Sequence, residues 1–303
     1  MSKPAVAHIK ITKVTPKGGF NADSPEEIDT VFLEQFFDKN GNKVKEIIFS
    51  QEGEEEQTTV LEYSPEHKPS LEKHFFHLDE IEEQTAFKYD NGLLVQKIKT
   101  YSYGSIENTY YTYNEHRLPL SIIVADDDGG EEESELFEYE GKNLIHYIKQ
   151  NALIGKEKEI WIKYDVKNRP IEEKKWSHLT GKTTTSYFDY TKHEHEPDIK
   201  IMNDKGAVVE AHIHTFNDRN QVVTHEVQVS DNGLKKYITA YDYNEQGSVT
   251  FIETLNHKDE LQRRVISTFN EHGLLLAEDK SEYAIELGTV ATFTFNYEYT
   301  FHQ

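Results

Sequence analysis

The sequence has no cysteine at any of its 303 positions. That absence excludes a disulfide framework, a thiolate nucleophile and a cysteine-ligated metal. Positive charge is scarce: 33 Lys and Arg stand against 55 Asp and Glu, a formal net charge of -22. So acidic a chain has no electrostatic means of binding DNA, RNA or an anionic bilayer unaided. Long apolar runs are missing too. No window approaches the roughly eighteen apolar residues of a spanning helix, and the opening MSKPAVAHIKITKV lacks a signal-peptide core. The expectation is a cytoplasmic protein with no membrane and no direct nucleic-acid partner. No Gly-rich phosphate loop, HExxH zinc motif or GxSxG nucleophile elbow occurs. A catalytic carboxylate pair cannot be singled out among 55 acids. The chain is therefore expected to be no enzyme, with no cofactor and no bound metal.

What is present is aromatic and periodic. The 18 Tyr and 16 Phe argue against simple disorder. An aromatic followed by a polar turn recurs at Phe37, Tyr63, Tyr89, Tyr113, Tyr139, Tyr164, Tyr190, Phe216, Tyr243 and Phe269, and a last copy lies near Phe295. Successive intervals run from 24 to 27 residues, a regularity that marks an internal repeat.

The segment from Asp90 to Tyr113 shows what one repeat is. Asp90-Asn91-Gly92 reads as a turn, because Asp and Asn cap their own backbone and Gly accepts positive φ. Leu93 to Lys99 reads as a strand, Gly104 and Ser105 as a tip, and Glu107 to Tyr113 as a second strand rich in Tyr and Thr. Pairs such as Phe87 with Tyr89, Tyr111 with Tyr113, Phe137 with Tyr139 and Tyr241 with Tyr243 are two apart and share one sheet face. Equivalent pairs would form aromatic rows across the sheet, each cross-strand contact adding roughly 0.2–1 kcal/mol. Gly41, Arg117, Asn168, Gly247 and Gly273 follow the anchors, where a left-handed or bulged residue is expected. The fold class predicted is all-β: about ten hairpins of ~26 residues forming one long twisted or coiled antiparallel sheet, without an ordinary central core. Residues 1–36 are assigned to an N-terminal β cap and 37–303 to the repeat domain, irregular near 190–206.

The unit Y-x-Y-[D/N]-x-x-G-x-[L/V], as in Tyr241 to Val249 and Phe87 to Leu94, resembles the YD repeat of the Rhs family. The resemblance covers about Phe37 to Tyr297. It implies β-hairpins wound into a large sheet or shell, and a scaffold that holds another protein. It implies no catalytic residues. The chain departs from full Rhs proteins in being far shorter, in lacking a toxin domain after Tyr297 and a DPxG self-cleavage stretch, and in carrying Phe at Phe37, Phe216 and Phe269.

Two acidic blocks are the strongest local charge signal: Glu52, Glu54, Glu55 and Glu56, then Asp126, Asp127, Asp128, Glu131, Glu132 and Glu133. Both fall midway between anchors, in the variable turn of a hairpin. The plain reading is a solvated loop. The functional reading is contact with a basic partner, because like charges crowded in a turn repel until a Lys/Arg-rich surface relieves them. Histidines come in i, i+2 pairs, His193 with His195 and His212 with His214, and His225 follows on the next strand; ordinary surface or half-buried histidine outweighs a zinc site here. The function expected is a non-catalytic protein-binding scaffold, an intracellular immunity (antitoxin) or effector-adaptor protein whose acidic surface binds a basic toxin or secreted effector. The alternative is a structural shell or assembly component that self-associates through exposed edge strands; a metal-dependent or carbohydrate-acting enzyme ranks last.

Overall fold

The computed structural model describes residues 5–17, 26–76, 80–230, 233–284 and 289–302, and no helix occurs among them. The loop expected between Pro16 and Pro25 lies mostly outside the described residues. The strands are β1 (Val6–Lys17), β2 (Glu26–Phe37), β3 (Lys43–Phe49), β4 (Glu55–Tyr63), β5 (Pro69–Phe76), β6 (Ile81–Asp90), β7 (Leu93–Tyr101) and β8 (Ile106–Tyr113). Next come β9 (Pro119–Ala125), β10 (Glu131–Glu140), β11 (Asn143–Asn151), β12 (Gly155–Tyr164), β13 (Pro170–Ser177), β14 (Lys182–Asp189) and β15 (Asp198–Asn203). The series ends with β16 (Val208–Phe216), β17 (Val222–Ser230), β18 (Leu234–Tyr243), β19 (Val249–Leu255), β20 (Leu261–Phe269), β21 (Leu275–Ala284) and β22 (Thr289–Phe301).

One turn chemistry generates the hairpins. Between β2 and β3, Asp38 N donates to Asn42 O at 2.9 Å and Gly41 N donates to Asp38 O at 3.0 Å. The Asp38 carboxylate accepts from the backbone N–H groups of Asn40 and Asn42. Gly41, the fourth residue, sits at φ 84°. The same bonds recur at Asn114–Leu118, Asp165–Arg169, Asn217–Gln221, Asn244–Ser248 and Asn270–Leu274. Their fourth residues, Arg117, Asn168, Asn220, Gly247 and Gly273, all have positive φ. A residue in the left-handed region next to a tight turn forces an extra residue into one strand. The register accordingly slips immediately before the anchor, as at Thr112/Tyr113, Lys163/Tyr164 and Thr268/Phe269. At the opposite strand ends the sequence points to a tip at Gly104 and Ser105, where Tyr101 N donates to Ser105 O at 3.0 Å. The structure shows the same device at the opposite strand ends, at Ser50–Glu54, Asp126–Gly130, Asn203–Ala207 and Asn256–Glu260.

The anchors hold each turn to its neighbour. The phenol oxygens of Tyr63, Tyr113, Tyr164 and Tyr299 donate to the carbonyls of Lys43, Leu94, Leu144 and Leu275, at 2.7–2.9 Å. Each acceptor lies just past the turn of the preceding repeat, so an anchor closes the hairpin before its own. Turn side chains add rungs one repeat apart: Asn143 to Asn168, Arg117 to the Asn91 carbonyl, and Lys167 to Glu194. Burial raises the phenol pKa of Tyr63, Tyr89, Tyr113, Tyr139, Tyr164, Tyr190 and Tyr243 alike, as a shared environment requires.

The chain divides into two compact units, residues 1–84 with 237–303, and residues 85–236. In the second unit β7 to β17 pair in sequence order. Its aromatic row lies on one face. Lys97 Nζ sits over both the Phe87 and Tyr111 rings. Tyr111 opposes Ile122, Ile122 opposes Glu135, and Glu135, Phe137 and Tyr139 then share that side. The row continues through the paired Phe188 and Ile199, then Ile199 and His212. The irregularity expected near 190–206 is a break between β14 and β15 inside this unit.

In the first unit β1 to β5 pair in order and β18 to β22 do likewise. β22 then returns to pair with β1, Ile9 opposite Tyr299 and Lys13 opposite Phe295. The pairings within each unit are antiparallel throughout. The twisted or coiled sheet expected from the sequence is corrected in this unit, where the first strand of the series pairs with the last. β1 is bonded to β2 and β22, and β22 to β21 and β1. Neither is the free edge through which self-association was expected. The physical reason is that an unpaired strand edge leaves a row of donors and acceptors unsatisfied, which the seam removes.

An ordinary core is absent among the described residues. Only Ile47, Ala125 and Val265 are buried hydrophobics, at 3–5% exposure. Most strand residues are half-buried, so cohesion comes from ladder bonds, anchors and turns.

Candidate functional site

The acidic blocks occupy corresponding connections in separate units. Glu52 lies in the turn from β3 to β4, and Glu54, Glu55 and Glu56 carry it into β4; all four are exposed. Ser50 Oγ accepts from the backbone N–H groups of Glu52 and Glu54, which orders the turn while the carboxylates face water. Glu56 reaches a hollow of about 390 Å³ lined by Lys13, Ile28, Phe32 and Phe49.

The second block surrounds the turn from β9 to β10. Asp126 is structural, its Oδ1 accepting from Gly130 N at 2.6 Å. Glu133 is structural as well, 3.3 Å from Lys149 Nζ and within reach of the Asn151 side chain. Lys149 also meets Glu157 at 3.2 Å. That hydrogen bond, with Glu133 adding, raises its pKa. Asp127, Asp128, Glu131 and Glu132 are exposed, and none makes an ion pair among the described residues. The sequence-predicted residues of this block therefore split into two that build the turn and four that present charge.

Two neighbours were not singled out in the sequence. Glu107 from β8 and Leu153 from the next turn join Asp126, Glu131, Glu132 and Glu133 around an open hollow of about 650 Å³. Leu153 is 93% exposed, and Leu179, one turn further along, is equally so. Tyr103, on the turn before, is 77% exposed and stacks on Tyr101 at 5.4 Å. Every second turn of this unit, from Tyr103 to Leu179, thus offers in order an aromatic, an acidic, an aliphatic and another aliphatic tip. The signal that would have found them was available: large apolar residues at loop tips, where packing has no use for them.

The histidines gather through sheet register. His214 opposes His225, and the rings stack at 4.6 Å. His212 stacks on His225 at 5.2 Å, its Nδ1 3.0 Å from His225 Nε2. His193 lies over Phe216 at 4.3 Å. Among the described residues no three His, Asp or Glu side chains are disposed to hold a metal ion.

No family model matches this sequence, and no curated protein matches it. Several solved structures share some of its backbone course. The Tc holotoxin pore of Photorhabdus luminescens aligns with 86% of the chain at 12% identity and TM-score 0.42, and the chain spans only 15% of it. A porin-like protein of Bacteroides uniformis aligns over 97% of this chain and 98% of its own, at 12% identity and TM-score 0.31. A TcdB2–TccC3 crystal structure aligns over 90% of this chain and 23% of its own, at 8% identity and TM-score 0.21.

Proposed function

We propose that the chain is a non-catalytic, cytoplasmic protein-binding scaffold of YD-repeat character that holds a basic partner, as an immunity or effector-adaptor protein would. The observation that carries this reading is the hollow of the second unit, where Glu107 and the β9–β10 acids meet exposed Leu153. Exposed apolar groups beside uncompensated charge suit a partner surface with Lys or Arg around an apolar centre. The net charge of -22 adds long-range attraction for the same partner.

Affinity capture from the native cell, at low and high salt, tests the reading. The main partner should be basic, and its recovery should fall as salt rises. A variant with Asp127, Asp128, Glu131 and Glu132 all changed to Lys should lose it, and Leu153→Glu should weaken it. Capture unchanged in the fourfold Lys variant would refute the acidic hollow as the contact.

A further inference from the structure

The loop between β14 and β15 is closed over the sheet by one ring. His193 Nδ1 accepts from the backbone N–H of Glu196 at 3.1 Å and of His195 at 3.3 Å. An acceptor nitrogen carries no proton. The same ring stacks on Phe216 at 4.3 Å and 12°, which lays the loop against the end of β16. Protonating Nδ1 would remove the acceptor and turn its N–H toward two other N–H groups.

Three more histidines continue the line on β16 and β17. Glu210 Oε1 lies 2.6 Å from His212 Nε2. An ionised carboxylate only accepts, so His212 carries its proton on Nε2 and offers the Nδ1 lone pair. His225 Nε2–H donates to it across 3.0 Å. One added proton can be housed here: on His212, facing Glu210, with His225 becoming the acceptor. A second, on His225, would put two N–H groups nose to nose and stack one cation on another. The sites are coupled, and the array resists its second proton.

The surrounding charges do not relieve this. On β15, Asp198 is 3.9 Å from His214 Nδ1 and takes an ion pair from Lys192 at 2.6 Å. His214 Nδ1 is buried without a hydrogen-bond partner. On β17, Glu226 is held by Lys236 at 2.6 Å. Around the loop, Glu194 is paired with Lys167, its carbonyl meets Arg169, and His195 is a ring away from His193. No carboxylate pairs with His193 or His225 among the described residues. Burial, then His214 and His212, lowers the pKa of His225. A lowered folded-state pKa means that the unfolded form binds the proton first. The stability contribution is therefore present above about pH 6.5 and is lost as pH falls below it.

We propose that the 190–197 loop and the β16–β17 face form a proton-operated clasp, closed while His193 and His225 are neutral and released on acidification.

Amide hydrogen exchange at pH 7.5 and 5.5, expressed as protection factors to remove the intrinsic pH dependence, tests this on the whole chain. Protection at the His195 and Glu196 amides and along β16 and β17 should fall at least tenfold at pH 5.5. The Asn114–Leu118 turn of the same unit should keep its protection. His193→Asn retains an acceptor that does not titrate and should abolish the response of the loop. His225→Phe retains stacking without titration and should abolish the response of β16 and β17. Equal protection at both pH values, a uniform loss over the unit, or an unchanged response in both variants would overturn the proposal.

Discussion

Tyr113 offers the sharpest test of how so thin a fold coheres. Tyr113→Phe deletes only the hydroxyl that donates to Leu94 O at 2.7 Å. A neutral hydrogen bond of this kind contributes about 0.5–1.5 kcal/mol. Tyr113→Ser deletes the ring as well. Losing a fully buried ring costs about 3–5 kcal/mol, and a half-buried one roughly half of that, so with the hydroxyl the total comes to about 2–4 kcal/mol. Glu132→Ser is the control: the side chain is exposed, and the backbone carbonyl that accepts from Ala152 N remains. Its effect should stay within about 0.5 kcal/mol. At about 2–4 °C per kcal/mol for a unit of this size, Tm should drop by about 4–16 °C for Tyr113→Ser and about 1–6 °C for Tyr113→Phe. Thermal melts followed by circular dichroism, with urea titrations as a second measure, separate the three. Equal shifts for Tyr113→Ser and Glu132→Ser would refute the anchor argument. A Tyr113→Phe loss as large as that of Tyr113→Ser would assign the whole effect to the hydroxyl and none to the ring.

Other outcomes follow from the turns and the phenols. Gly41→Ala meets no atom within 4 Å but must hold φ near 84°; it should cost about 1–2 kcal/mol by urea midpoint, whereas Asp259→Gly, which relieves φ 59°, should stabilise by a few tenths, about 0.5 kcal/mol. Asn256 is only 8% exposed, accepts from the N–H groups of Lys258 and Glu260, and donates to the Glu260 carboxylate; Asn256→Ala should lower the urea midpoint by about 1–3 kcal/mol, more than Asn244→Ala in a less buried turn. The anchor phenols have raised pKa values, so the unfolded chain loses its phenolic protons first. Stability should hold up to about pH 10 and fall beyond it, and urea midpoints flat between pH 9 and 10.8 would contradict this.

How much of this was legible in the residues follows from the range of the forces involved. Turn chemistry is local, so Gly41, Arg117, Asn168, Gly247 and Gly273 announce their left-handed geometry, and each proves to have positive φ. The period-two aromatic pairs likewise reveal their common face. The β1–β22 seam joins residues nearly a full chain length apart, and nothing in VAHIKITKV specifies Tyr297 or Tyr299 as its partner. The tyrosine hydroxyl bonds were hidden for a related reason: a Tyr at an anchor looks the same whether its oxygen meets water or the Leu94 carbonyl. The exposure of the acidic turns was readable from charge alone. Their meeting with Glu107 and Leu153 depended on which hairpins stand side by side. The histidine line needed register, since His225 lies eleven residues beyond His214 and only strand pairing places the two rings together.

The seam also makes neighbours of Ala5 and His302: His302 N donates to Ala5 O at 3.0 Å. Joining the ends with a short linker and cutting instead at an exposed tip such as Gly104 would yield a permutant that keeps each ladder. Probes attached at Ala5 and His302 would start out as close companions.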